Sequence, residues 1–72
     1  MPRVHIDVGK LVSTLITLGY VYITVDQLAS ILGISTRTAG RILAEMSRRG
    51  LAKRWSKRTY KLELLQLTEV SN

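Results

Sequence analysis

The stretch Gln27-Leu28-Ala29-Ser30-Ile31-Leu32-Gly33-Ile34-Ser35-Thr36-Arg37-Thr38-Ala39-Gly40-Arg41-Ile42-Leu43 places two helix signals in succession with a stop between them. The first begins upstream, where Thr24 suits the N-cap of a helix from Val25 to Leu32. Asp26 and Gln27 fall in its first turn, and Leu28, Ile31 and Leu32 share an apolar face. Gly33 ends that helix, because a residue without a Cβ enters the left-handed region at no steric cost. Ser35 then caps a second helix, Thr36 to Arg49, with Ala39, Ile42, Leu43 and Met46 at core spacing and Gly50 as its stop. Two helices that cross steeply need a small residue where they touch. Ala29 supplies it, and Ile34 plugs the corner.

The same reading extends outward in both directions. Upstream, Val8, Leu11, Val12, Leu15 and Ile16 form one helical face between Asp7, an N-cap, and Gly19, a stop. Tyr20 to Ile23 is β-branched and aromatic and too short for a helix, so it reads as a strand. Downstream, Leu51–Trp55 and Tyr60–Leu64 are two strand-like runs around the polar Ser56-Lys57-Arg58-Thr59, a hairpin with a short loop. The expected class is α+β in the order helix, strand, helix, helix, strand, strand. At 72 residues, a single domain covers 1–72, with its core in 7–64 and a C-terminal tail at 65–72.

Taken together, the helix–Gly33–helix unit, the preceding helix and strand, and Arg48-Arg49-Gly50-Leu51 leading into a basic hairpin resemble the winged helix-turn-helix family of DNA-binding regulators. The resemblance covers about residues 7 to 64. It implies that the third helix enters the major groove and that the hairpin, the wing, lies along the DNA backbone or the adjacent minor groove. The wing here is short, and the chain carries no separate ligand-binding or dimerisation domain.

The distribution of charge supports a polyanion partner. Eleven Lys and Arg oppose five Asp and Glu, a net charge of +6. Nine of the basic residues lie between Ser35 and Lys61, with Glu45 the sole acid among them. Solvating charge is dispersed, whereas a nucleic-acid footprint is contiguous. Opposite the core stripe of the third helix lie Arg37, Gly40, Arg41, Ala44 and Arg48, a basic face of small residues that fits a groove. Arg37, Thr38 and Arg41 are the candidates for base edges, since Arg suits bidentate contact with guanine. Ser35, Thr36, Arg48, Lys53, Arg54, Lys57, Arg58 and Lys61 are assigned to phosphates. Gly40 costs helix stability and is read as a point of close approach. If Trp55 faces Tyr60, Arg54 stands opposite Lys61, Lys53 beside Leu62 and Leu51 beside Leu64. A phosphate would then relieve the like-charge pair. In that register Trp55 and Tyr60 close the small core, and Tyr20 and Tyr22 are read as structural too.

Enzyme chemistry is not expected. Asp7, Asp26, Glu45, Glu63 and Glu69 are scattered over caps and solvent faces, His5 stands alone, and no Gly-rich phosphate loop is present. No metal or cofactor is expected, and no cysteine is available for a disulfide or thiolate site. No apolar run reaches bilayer length and the first residues lack the order of a secretory signal, so the expected location is cytoplasmic and nucleoid-associated. The leucine-rich tail and the apolar first helix suggest a homodimer, with the tail folding over its own core as the alternative. Two further functions compete with duplex DNA binding. One is an RNA-binding or ribonucleoprotein role, in which Trp55 and Tyr60 would be exposed. The other is a protein-interaction module.

Overall fold

The computed structural model describes residues 7–63. The expected element order is present: α1 (Val8–Thr17), β1 (Tyr22–Thr24), α2 (Val25–Leu32), α3 (Thr36–Arg48), β2 (Ala52–Arg54) and β3 (Thr59–Leu62). Three helices and a three-stranded antiparallel sheet of order β1-β3-β2 make an α+β arrangement compatible with a winged-helix-like fold. The tail at 65–72, Leu64, His5 and Glu69 lie outside the described residues.

Local chemistry accounts for each helix boundary. The carboxylate of Asp7 accepts from the Lys10 amide at 3.1 Å. Thr24 and Gln27 form a reciprocal capping box, with Thr24 Oγ1 accepting from the Gln27 amide at 3.0 Å and Gln27 Oε1 from the Thr24 amide at 2.9 Å. Ser35 Oγ accepts from the Thr38 amide at 3.1 Å. All three helices stop the same way. At Gly33 (φ 66°) the Ile34 amide reaches back to the Ala29 carbonyl at 3.0 Å. Tyr20 reaches Leu15, and Leu51 reaches Met46, across equivalent turns. The α1 stop moves a boundary. Tyr20 is committed to the α1 stop, so β1 begins at Tyr22 rather than at Tyr20.

The core joins Val12, Leu15, Ile23, Leu28, Leu43 and Met46, each essentially removed from solvent, with Ala29 and Ala39 buried between them. Ile34 packs against this cluster, as expected, and so do Leu32 and Ile42. Ile31 does not: it is exposed on the outer side of α2. The apolar stripe of α1 is directed into the domain's own core through Val8, Val12 and Leu15.

The hairpin register differs from the expected one by a single residue. Ala52 pairs with Leu62, Lys53 with Lys61, and Arg54 with Tyr60. The reason lies in the turn, where the Trp55 and Ser56 amides both donate to the Thr59 carbonyl, at 2.8 and 3.1 Å. That pairing draws Thr59 into β3 and Trp55 into the turn. Trp55 therefore does not face Tyr60. Tyr60 is buried in the core, whereas Trp55 is 65% exposed and meets the ring of Tyr22, on β1, edge-on at 5.4 Å. Tyr22 is likewise exposed, not structural infill. The like-charge pair survives the shift with Lys53, not Arg54, opposite Lys61.

Candidate nucleic-acid interface

Burial of Ala39, Leu43 and Met46 orients α3, turning Arg37, Thr38 and Arg41 to solvent with Gly40 and Ala44 half-buried between them. Arg37 and Arg41 are one helical turn apart on this face and have no carboxylate partner among the described residues. Thr38 and Ser35 form a linked pair: the Ser35 hydroxyl donates to Thr38 Oγ1 at 3.0 Å. The Thr38 hydroxyl keeps its own proton for an outside acceptor. Thr36 is exposed on the first turn of α3, at the positive end of the helix dipole.

Gly40 makes no close approach within the molecule, since a Cβ placed there meets nothing within 4 Å. Its backbone φ is not in the left-handed region either. Gly40→Ala is therefore expected to stabilise the helix by about 0.5–1 kcal/mol, which in a domain this small raises Tm by several degrees. Thermal melting checks this. A concurrent loss of nucleic-acid affinity would mark Gly40 as a clearance for a partner, and unchanged affinity would mark it as incidental.

The remaining basic residues divide into two groups. Arg48 and Arg49 both bind Glu45, the latter at 2.7 Å, so the lone acid of the basic segment offsets one of the two charges at the C-terminal end of α3. An absence of acids at i±4 from the basic residues, expected from the sequence, does not hold here, since Glu45 stands three and four residues before two arginines. Arg58 pairs with Asp26 at 2.8 Å, and its carbonyl accepts from the Val25 amide at 2.9 Å, tying the hairpin turn to the start of α2. Arg54 folds over the turn and donates to the carbonyls of Ser56 and Lys57 at 3.3 and 3.2 Å. Lys53, Lys57 and Lys61 have no carboxylate partner among the described residues. Unpaired cationic charge thus concentrates on the first half of α3 and on the hairpin lysines.

Hydrogen bonds from Arg48 and then Arg49 hold the Glu45 carboxyl below its ordinary value of 4.5. A lowered carboxylate stabilises the fold fully above its unfolded value, and that contribution is lost as pH falls through the lowered folded value. The melting difference between wild type and Glu45→Gln is expected to shrink to nothing on acidification below the ordinary carboxylate range. At neutral pH the same substitution frees two guanidiniums and raises the net charge from +6 to +7. Elution from heparin at higher salt than wild type is the expected result.

No helix among the described residues is long and apolar enough to cross a membrane, and no group of three or more metal-ligating side chains occurs among them. Compared with known proteins, the chain matches no family model, no curated protein and no solved structure.

Proposed function

We propose that this chain is a minimal winged helix-turn-helix protein that binds double-stranded DNA and acts as a transcriptional regulator, with α3 in the major groove and the β2–β3 hairpin on the backbone. The observation that carries this reading is the solvent face of α3. Arg37 and Arg41 flank half-buried Gly40 on the side opposite the core stripe, and neither is neutralised within the described residues. Arg37, Thr38 and Arg41 address base edges. Ser35 and Thr36 offer the helix start to a phosphate, and Lys53, Lys57 and Lys61 receive the flanking phosphates. Arg48, Arg54 and Arg58 are held by Glu45, the turn carbonyls and Asp26 respectively, so they contribute to a phosphate contact only by exchanging or sharing those partners.

The test is fluorescence anisotropy of a labelled duplex of about 30 base pairs against matched single-stranded DNA and structured RNA at several salt concentrations. A monomer that neutralises about five phosphates has a log–log salt slope near −4 to −5, and a dimer roughly twice that. Preference for RNA, or no salt-sensitive binding, would overturn the duplex reading.

Single substitutions separate the two contact types. Arg41→Ala is expected to cost about 1–3 kcal/mol on a cognate duplex and little on random DNA, whereas Lys57→Ala weakens both about equally. Equal losses at Arg41 on both duplexes would remove its base-reading role. A homodimer through α1 or the tail, and a nucleoid location, belong to the same proposal and are read from solution mass and from localisation.

A further inference from the structure

The outer face of the sheet contributes no residue to the buried core. Ile23, Ala52, Tyr60 and Leu62 turn inward to the core, and strand alternation turns Tyr22, Lys53 and Lys61 the other way. Pairing sets these three side by side, Tyr22 against Lys61 and Lys61 against Lys53. Trp55 stands at the end of β2 on the same side, its ring edge-on to Tyr22 with an interplanar angle of 64°. An edge-on pair uses at most one face of one ring. Trp55 and Tyr22 remain 65% and 43% exposed.

Two neighbouring aromatic rings left in water lose burial that the core could have supplied, and two ammonium groups placed directly opposite repel. Both costs are relieved by one kind of occupant, which has a flat apolar surface to stack on the rings and a negative charge to lie between the lysines. Neither lysine forms an ion pair among the described residues, and the nearest acid along the strands is Glu63, two residues beyond Lys61. A base within a duplex has its faces covered by its neighbours, so the occupant has unpaired bases.

We infer that the outer sheet face is a binding site for single-stranded DNA, with one or more unpaired bases stacked on Trp55 and Tyr22 and the intervening phosphate held between Lys53 and Lys61. The hydroxyl of Thr24, at the end of β1, accepts from the Gln27 amide and keeps its own proton, so the comparison of oligothymidylate with oligouridylate decides between deoxyribose and ribose strands. This site overlaps the duplex footprint proposed above only in part. The two share Lys53 and Lys61 but differ in Trp55 and Tyr22 on one side and Arg37 and Arg41 on the other.

Trp55 is the sole tryptophan of the chain, so its emission reports this face alone. The experiment titrates the full chain with oligothymidylate of about twelve nucleotides and follows Trp55 fluorescence, with anisotropy of the labelled oligonucleotide as a second readout. Saturable quenching of Trp55 is expected. Trp55→Ala is expected to weaken binding by about tenfold and Trp55→Phe by much less, since Phe keeps a stacking face. Lys53→Glu with Lys61→Glu should weaken it further. Arg37→Glu with Arg41→Glu removes the same charge as Lys53→Glu with Lys61→Glu but should weaken oligonucleotide binding and quenching clearly less, even where duplex binding is lost, because those residues do not line this face. Several results would overturn the inference: unquenched Trp55, equal loss on reversal of the two α3 arginines, or equal or tighter binding of oligouridylate. A shift of Trp55 emission with protein concentration alone would also overturn it, by assigning the face to a second copy of the chain.

Discussion

Arg37→Glu combined with Arg41→Glu is expected to weaken binding to a specific duplex by at least about a hundredfold. Each arginine read as a base contact supplies about 1–3 kcal/mol, and reversal also turns two attractions toward phosphate into repulsions. Net charge falls from +6 to +2. The fold should tolerate the change, since both side chains are exposed on α3 and a glutamate at position 37 lies in the first helical turn, where a negative charge is favourable. Circular dichroism melting confirms that tolerance before affinity is compared. Binding within about threefold of wild type, in a protein that melts normally, would move the interface off α3 altogether.

Leu43→Ala is expected to unfold much of the population at room temperature. Leu43 is fully buried, in the core cluster with Leu28, Met46, Val12 and Ile23. Removing a leucine side chain at such a site costs about 2–5 kcal/mol in lost burial and residual cavity. A domain of this size is expected to hold about 4–11 kcal/mol in total, and single cores this small often supply only about 3–5 kcal/mol. No disulfide adds to that reserve, because the chain has no cysteine. Urea titration of the two proteins measures the loss, and a midpoint shift corresponding to under about 1 kcal/mol would show that the core repacks around the gap.

The parts of this molecule that were legible in advance are those decided within a few residues. Asp7, Thr24 and Ser35 cap because a short side-chain oxygen reaches an amide three residues on, and Gly33 stops α2 because of its own φ. Arg37 and Arg41 belong on an exposed face because helical period alone separates them from Ala39, Leu43 and Met46. What escaped depends on partners distant in sequence or on a one-residue choice. The hairpin register follows from two amides sharing the Thr59 carbonyl, and alternating hydrophobicity in such short strands does not fix it. Trp55 went to Tyr22 instead of Tyr60 because β1 pairs with β3, a strand order not written in either segment. Arg58 meets Asp26 across 32 positions, beyond any local rule.

The backbone of Arg58 bears on the proposed role of the hairpin. Val25 is the first residue of α2, and the Arg58 carbonyl satisfies an amide there that would otherwise face water. The hairpin turn is thereby fastened to the helical unit at a backbone position, one that persists if the Arg58 side chain leaves Asp26 for a phosphate. A finger that swings freely in solution must be immobilised on arrival, and the lost conformational entropy subtracts from affinity. Here most of that ordering belongs to folding instead. If the domain binds DNA as proposed, the hairpin lysines reach it in the relation to the α3 arginines that folding sets, which would favour sites whose spacing matches that relation.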